Sequence, residues 1–472
     1  MQHKVWIRLW HSWVVVALLG ILGAGQAAEF FVAVDGKADG DGTQAKPVDL
    51  ATALSSKTPA QPGDTLWLRG GTYRGIFTST LAGNETQPIT LRRYSHERAT
   101  IDGSLTIQGG RAVYWGFEVM NSDPDRTSKE RPHGVNVFGP YTKCINLIVH
   151  DTGVAFGCWS PAWGAEIYGC LIYHNGYQGP GGDRGHGHAI YTQNETVPKR
   201  LLDNIMFDQF GYGLHAYTQG GEIKNYQIEG NISFNNGSAT RENQRYDNIL
   251  VGGYKPAEGI AVISNYTYTT WGRVGKNVQF NYSAKNNKDL ICRDNYFVGG
   301  APVLIANEWE KVVLTGNTLV GLQTLVSLGL PTNVTMAAYQ WNHNIYAACS
   351  NATPFKFQGQ LFDLAGWKSA TGLDQNSQFQ KKLNGTQIFI RPNQYELGRA
   401  SIAVYNWDRA EAVAVDLKAL GPRGAKCNVV NVLDYFGKPV ATGTYDGPPL
   451  RLPLKGTATG PEFNAFVVVP VN

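Results

Sequence analysis

The hydrophobic positions of this chain come in short runs that carry no helical period. From about residue 88, small groups of apolar residues are bounded by Gly, Asn and Asp. They fall at 89–91, 105–107, 113–117, 135–138, 145–149, 167–173, 205–207, 228–234, 249–251, 295–298 and 312–320. Apolar runs of this length between turn formers predict strands buried in a sheet, and few windows place apolar residues 3.6 apart. Upstream, 30–33 and 65–69 read as strands. Between them, 49–56 reads as a short capping helix with Asp49 placed as its N-cap.

Two stretches echo each other. Gly187-His188-Ala189-Ile190-Tyr191-Thr192-Gln193 returns 24 residues later as Gly211-Tyr212-Gly213-Leu214-His215-Ala216-Tyr217. A self-similar period in the twenties predicts a solenoid of stacked supersecondary units. A second repeated unit supports it. Gly169-Cys170-Leu171, Asp203-Asn204-Ile205, Gly230-Asn231-Ile232, Asp294-Asn295-Tyr296 and Gly316-Asn317-Thr318 superpose as one turn followed by a strand. An Asn at the same bend of successive coils tolerates the left-handed region and can bond its neighbour's backbone, so these asparagines are expected to be structural.

These units resemble the right-handed parallel β-helix of pectate-lyase-like proteins. The opening stretch Phe31-Val32-Ala33, Asp41-Gly42-Thr43 and Pro62-Gly63-Asp64-Thr65-Leu66-Trp67-Leu68-Arg69-Gly70-Gly71-Thr72-Tyr73 resembles the N-terminal cap and first coil of the secreted alginate- and chondroitin-lyase branch. The resemblance covers roughly 30–350. It implies the fold and a carbohydrate ligand, in a superfamily that holds lyases, hydrolases, epimerases and non-enzymes. From about Gln378 the pattern changes to alternating strands at 388–390, 401–407, 412–415, 429–433 and 466–469, with a hairpin turn at Tyr445-Asp446-Gly447. This resembles the small β-sandwich appended to many glycoside-active enzymes, there for packing or carbohydrate contact. The expectation is an all-β chain: a right-handed parallel β-helix solenoid over 28–375, then a small antiparallel β-sandwich over 376–472.

The first 27 residues read as a secretory signal. Lys4 and Arg8 precede a short apolar run, and Gly25-Gln26-Ala27 is a small-x-small cleavage site. A secreted or periplasmic protein is expected. No later run approaches the ~18 apolar residues of a membrane span, so no membrane partner is expected. Net charge is +4, with 41 basic and 37 acidic residues; this is no nucleic-acid footprint. A monomer acting on a polysaccharide, acidic or not, fits this charge.

Of the 6 cysteines (Cys144, Cys158, Cys170, Cys292, Cys349 and Cys427), none forms a CxxC pair, which argues against zinc. An oxidising compartment would let some pair. Cys144, Cys158 and Cys170 could instead serve as small buried hydrophobes.

Strand side chains alternate faces. With the aliphatic Ile190 and Leu214 inward, Tyr191 and His215 face outward on adjacent coils, and Gln193 and Tyr217 lie beside them. Extending the register puts Val135, Val154 and Ile249 inward and Asn136, Ala155 and Leu250 outward. Two insertions, 177–187 and 238–247, lengthen the turns before the Ile190 and Ile249 strands. Long loops on one side of a solenoid commonly wall a groove. His186, His188, Arg184 and Arg245 would line it, with Asp247 at its edge. Trp159 and Trp163 could stack on sugar rings.

This set contains what β-elimination on a uronate needs. His188 or His215 could take the C5 proton. Arg184 or Arg245 could hold the carboxylate, and Tyr191 could protonate the leaving oxygen. The β-helix lyases it resembles commonly use a Lys or Arg base and a calcium ion. No matching acidic cluster stands in this row; Asp183 and Asp247 alone fall short of calcium's ligand number, so no cofactor is expected. Two other readings stay open. A glycoside hydrolase would need two carboxyls about 5–9.5 Å apart, with Asp183, Asp203, Asp208 and Asp247 as candidates. A non-catalytic glycan-binding surface protein would suit the same groove.

Overall fold

The computed structural model describes residues 27–127, 130–179, 186–240, 246–272, 275–347, 350–454 and 462–471. The chain winds as a parallel β-helix whose coils contribute strands to three parallel sheets. The first is a 12-stranded sheet from Glu29–Lys37 and Thr65–Leu68 to Tyr339–Asn342. The second runs from Glu118–Met120 through Ile148–His150, Leu171–Tyr173, Ile205–Phe207 and Ile232–Phe234 to Gln378–Gln380. The third stacks Val135–Val137, Phe156–Cys158, Ile190–Thr192, Leu214–Ala216, Ile249–Val251 and Val278–Phe280. The long strands Gly71–Ser79 and Ala99–Ile107 bend across the corner between the second and third sheets. A side chain on Gly103 would stand 1.9 Å from the Gly75 carbonyl oxygen, so that bend requires glycine.

The apolar runs at 145–149, 167–173, 228–234 and 312–320 are not single strands. Each holds the end of one strand and the start of the next, with a corner between. Ile223–Glu229 and Ile232–Phe234 are an example. The asparagine stands at this corner and builds a ladder. Asn231 Nδ2 donates to Asn265 Oδ1 at 2.9 Å, and Asn231 Oδ1 accepts from the Asn204 amide side chain at 3.0 Å. The chain of such bonds runs through Asn204, Asn231, Asn265, Asn295, Asn317 and Asn344. The left-handed residue is not the asparagine but the one before it: Asp203, Gly230, Ser264, Asp294, Gly316 and His343 all have positive φ. That residue turns the backbone, which frees the asparagine side chain to point inward and bond the next coil.

The capping helix is Leu50–Leu54, with Asp49 accepting from the Thr52 amide at 2.9 Å. At the other end Leu364–Thr371 closes the solenoid and buries Trp367. Cys144, Cys158, Cys170, Cys292 and Cys427 are unpaired and buried. Pairing among them is therefore corrected: Cys144, Cys158 and Cys170 pack as small hydrophobes in the solenoid core. Cys349 lies outside the described residues.

The C-terminal unit is a 5-stranded antiparallel sheet with a 2-stranded ribbon on one face. Ile402, Val404, Phe466 and Val468 meet Val415 and Leu452 of the ribbon. The opposite face, with Ala403, Tyr405, Ala465 and Val467, packs on Ile205, Phe207, Ile232 and Phe234 of the solenoid's second sheet. Arg391 seals this contact by donating to half-buried Asp203 at 2.7 Å. This covering of the second sheet leaves the outer face of the third sheet open.

Candidate active site

The third sheet carries the echo in the expected register. Ile190 pairs with Leu214, and Tyr191 with His215. Ile190, Leu214, Val135 and Ile249 are fully buried inside the solenoid. The outward row reads Asn136, Gly157, Tyr191, His215, Leu250 and Gln279. One coil differs from expectation: Phe156 is the inward residue and Gly157 the outward one, displacing Val154 and Ala155 into the preceding turn. Gly157 is needed there. A β-carbon would lie 2.8 Å from the Trp159 ring and 2.9 Å from Asn136 Oδ1. Its absence lets Trp159 fold back so that Nε1 donates to Asn136 Oδ1 at 3.1 Å.

Three residues before the outward positions, His133, Val154, His188, Tyr212, Asp247 and Lys276 stand in the preceding turns. His188 packs against Tyr191 and against His215, with ring centroids at 5.5 and 4.6 Å. Tyr212 stacks on His215 at 4.2 Å, and Tyr217 stacks on it at 4.8 Å. Tyr191 lies 5.3 Å from His215.

Hydrogen bonds fix the protons of this cluster. The Tyr212 backbone amide donates to His188 Nδ1 at 3.1 Å. Burial drives His188 down to about 3, so the ring is neutral at pH 7 and its proton sits on Nε2. That Nε2–H meets His215 Nδ1 at 3.3 Å. Burial, then the neighbouring His188, holds His215 well below the usual histidine range. Its remaining proton is therefore on Nε2. Neither ring keeps a free lone pair. In this arrangement the two rings form a hydrogen-bond relay that ends on an N–H rather than a lone pair. Burial raises Tyr191, which stays a phenol at neutral pH and can donate.

Aromatic rings line the groove on both sides of this centre. Trp159 meets Tyr191 edge-on at 5.6 Å and stacks with Phe138 at 6.1 Å. On the other side Tyr217 meets Tyr282 at 5.1 Å and Tyr254 at 6.3 Å. Phe138, Tyr254 and Tyr282 are exposed. From the Phe138 coil to the Tyr282 coil is five strand spacings, about 24 Å. Beneath this surface Lys199 is completely buried. Its ammonium donates to the carbonyls of Cys158, Trp159 and Gln193 at 3.1, 2.9 and 2.6 Å, which fixes the turns presenting Trp159 and Gln193. A cavity of about 180 Å³ opens beside Tyr191, lined by Glu130, His133, Trp159, Tyr177, His186 and His188, among others.

The other expected site residues divide. Gln193 and Tyr217 are half-buried at the groove, and His186 stands at the cavity, within 3.3 Å of the Tyr177 hydroxyl. Trp163 is elsewhere: it packs on Tyr141 at 4.8 Å. Asp247 is buried beside Tyr212; burial raises its carboxyl to about 7, and its Oδ2 has no hydrogen-bond partner among the described residues. Arg184, Arg245 and Asp183 lie outside the described residues. Asp203 is bound to Arg391, and Asp208 accepts from Ser238, so the two are engaged outside the groove. Among the described residues no group of three or more His, Cys, Asp or Glu could hold a metal ion. His133 and Tyr212 were not foreseen. They sit in turns, where strand alternation says nothing about side-chain direction.

No family model and no curated protein sequence matches this chain. Among solved structures it is similar to pectate lyase Pel9A at 14% identity, covering 71% of this chain and 79% of that one, with a TM-score of 0.44. It is similar to a GH136 lacto-N-biosidase from Eubacterium ramulus at 10% identity, covering 75% and 67%, with a TM-score of 0.41. XylC, in complex with xylose, is similar at 9% identity, covering 92% and 97%, with a TM-score of 0.38.

Proposed function

We propose that this protein is a polysaccharide-degrading enzyme, and that it cleaves a uronate-containing glycan by β-elimination in the groove of the third sheet. The observation that carries this reading is the pair Tyr191 and His215. The phenol and the donor imidazole stand 5.3 Å apart at the centre of an aromatic-lined face, Tyr191 half-buried and His215 buried beneath Tyr212 and Tyr217. Aromatic faces suit sugar rings, and the groove length suits several sugars in a row.

β-Elimination builds negative charge on the uronate carboxylate as the C5 proton leaves. A neutral histidine whose proton sits on Nε2 stabilises such charge without needing to be protonated. Tyr191 supplies the proton for the departing glycosidic oxygen. Arg184 and Arg245 are the arginines we propose to bind the carboxylate, since a guanidinium meets it with paired N–H donors. The short apolar run within 1–27 supports export, which would bring the enzyme to its substrate in the periplasm or the medium.

Incubation with a panel of uronate glycans tests this. Elimination yields an unsaturated, ultraviolet-absorbing product. New reducing ends without that absorbance would point to hydrolysis instead. Binding without cleavage would leave a glycan-binding protein.

A further inference from the structure

We infer that His133 is the catalytic base of this site. The inference rests on the eliminative reading above and adds the one group that reading lacks, an acceptor for the C5 proton.

The geometry around Asn136 points to it. Trp159 Nε1 can only donate, so the Asn136 atom it meets at 3.1 Å is the carbonyl oxygen. The same Oδ1 lies 3.1 Å from His133 Nδ1. That nitrogen must therefore carry the proton, which leaves Nε2 with its lone pair. His133 is half-buried and lines the cavity that Tyr191 and His188 also line. Its ring stacks along Trp159 at 6.1 Å and 20°. Trp159 in turn contacts Tyr191, so His133, Trp159, Tyr191 and His215 follow one another along the groove.

Two histidines of this groove are thus held in opposite senses. His215 is fixed as a donor by the Tyr212 amide acting through His188. His133 is fixed as an acceptor by Asn136. The neighbouring cation does not compete for the substrate. Arg131 is buried in the cavity wall, and its guanidinium donates to the carbonyls of Asn121, Asp123, Asp125 and Asp151.

The step balances as follows. His133 Nε2 takes the C5 proton, and the C5–H electron pair becomes the C4=C5 double bond. The C4–O bond breaks with its pair on oxygen, which takes the Tyr191 proton. The proton on His133 then leaves through solvent, and Tyr191 regains one.

The test uses the full chain and the uronate glycan that wild type cleaves. His133→Asn keeps an N–H where Nδ1 donates to Asn136 but removes Nε2. We expect kcat to fall at least about 100-fold, with oligosaccharide Kd within about threefold and cooperative unfolding retained. Added imidazole should restore part of the activity of His133→Ala. In the wild-type protein, diethylpyrocarbonate should inactivate in step with modification of His133, read by mass spectrometry, and bound oligosaccharide should protect. A His133→Asn kcat within threefold of wild type, or full activity with His133 modified, would overturn the assignment. If wild type forms no unsaturated product from any uronate glycan, the eliminative reading itself fails, and the base assignment with it. Unsaturated product from both proteins at equal rates fails the base assignment alone.

Discussion

His188 Nε2 stands 3.3 Å from His215 Nδ1, while the Tyr212 amide donates to the other nitrogen of His188. One backbone N–H therefore sets the tautomer of two side chains. Because both ring nitrogens of His188 are engaged, one by the Tyr212 amide and one by His215, it acts as a positioning residue. In nitrogen-resolved NMR, both rings should show Nε2–H at pH 7. His188 should stay neutral down to about pH 4, since burial holds it near 3. Either ring protonated on Nδ1 would contradict the relay.

Asp247 makes the fold sensitive to pH in an unusual direction. Burial raises its carboxyl to about 7, against about 3.9 in an unfolded chain. Between those values the folded protein keeps a proton that the unfolded chain has lost. Stability is therefore full below about pH 4, falls as pH rises, and has lost its share above about pH 7. The loss is of order 4 kcal/mol at most. Asp247→Asn should be more stable than wild type at pH 8 and about equal to it at pH 4, as measured by urea unfolding.

The ladder should be costly to break. Asn231 is fully buried and donates to Leu201 O at 2.8 Å and to Asn265 Oδ1 at 2.9 Å, while accepting from Asn204. Asn231→Ala would leave several buried polar groups unpaired at about 1–3 kcal/mol each. A loss of at least about 3 kcal/mol in urea unfolding is expected. A loss below about 1 kcal/mol would mean the coils stack without the ladder.

Much of this architecture was legible in the chain. The echo aligned Ile190 with Leu214 because glycine and an aliphatic recur at matched places, and that register decides which residues face out. The ladder was legible from Asn204, Asn231, Asn295 and Asn317, although the left-handed residue is the one before each asparagine. Corners hidden inside apolar runs such as 228–234 were not legible: both the strand end and the next strand start are apolar, so hydropathy is continuous where the backbone bends. Phe156 was missed because the run from Val154 to Phe156 offers two inward residues of the same parity. His133 and Tyr212 escaped because their directions depend on turn geometry. Lys199 escaped because a buried ammonium satisfied by three carbonyls leaves no mark in local sequence.

The aromatic surface should contribute binding more than rate. Trp159→Ala also frees Asn136, so it should raise KM and lower kcat together. Tyr282→Ala removes the exposed ring that meets Tyr217 and should raise KM by about 5- to 100-fold with kcat little changed, a stacked sugar contributing about 1–3 kcal/mol by analogy with base stacking. An unchanged KM on long oligosaccharides would remove Tyr282 from the binding path.

The most direct test of the groove as the active site is the steady-state kinetics of Tyr191→Phe on a glycan that wild type cleaves. The change removes one hydroxyl and leaves the ring contacts to His188, His215 and Trp159 in place. The predicted result is a kcat at least about 100-fold lower, with oligosaccharide Kd and thermal unfolding unchanged. Full activity in Tyr191→Phe would contradict the account.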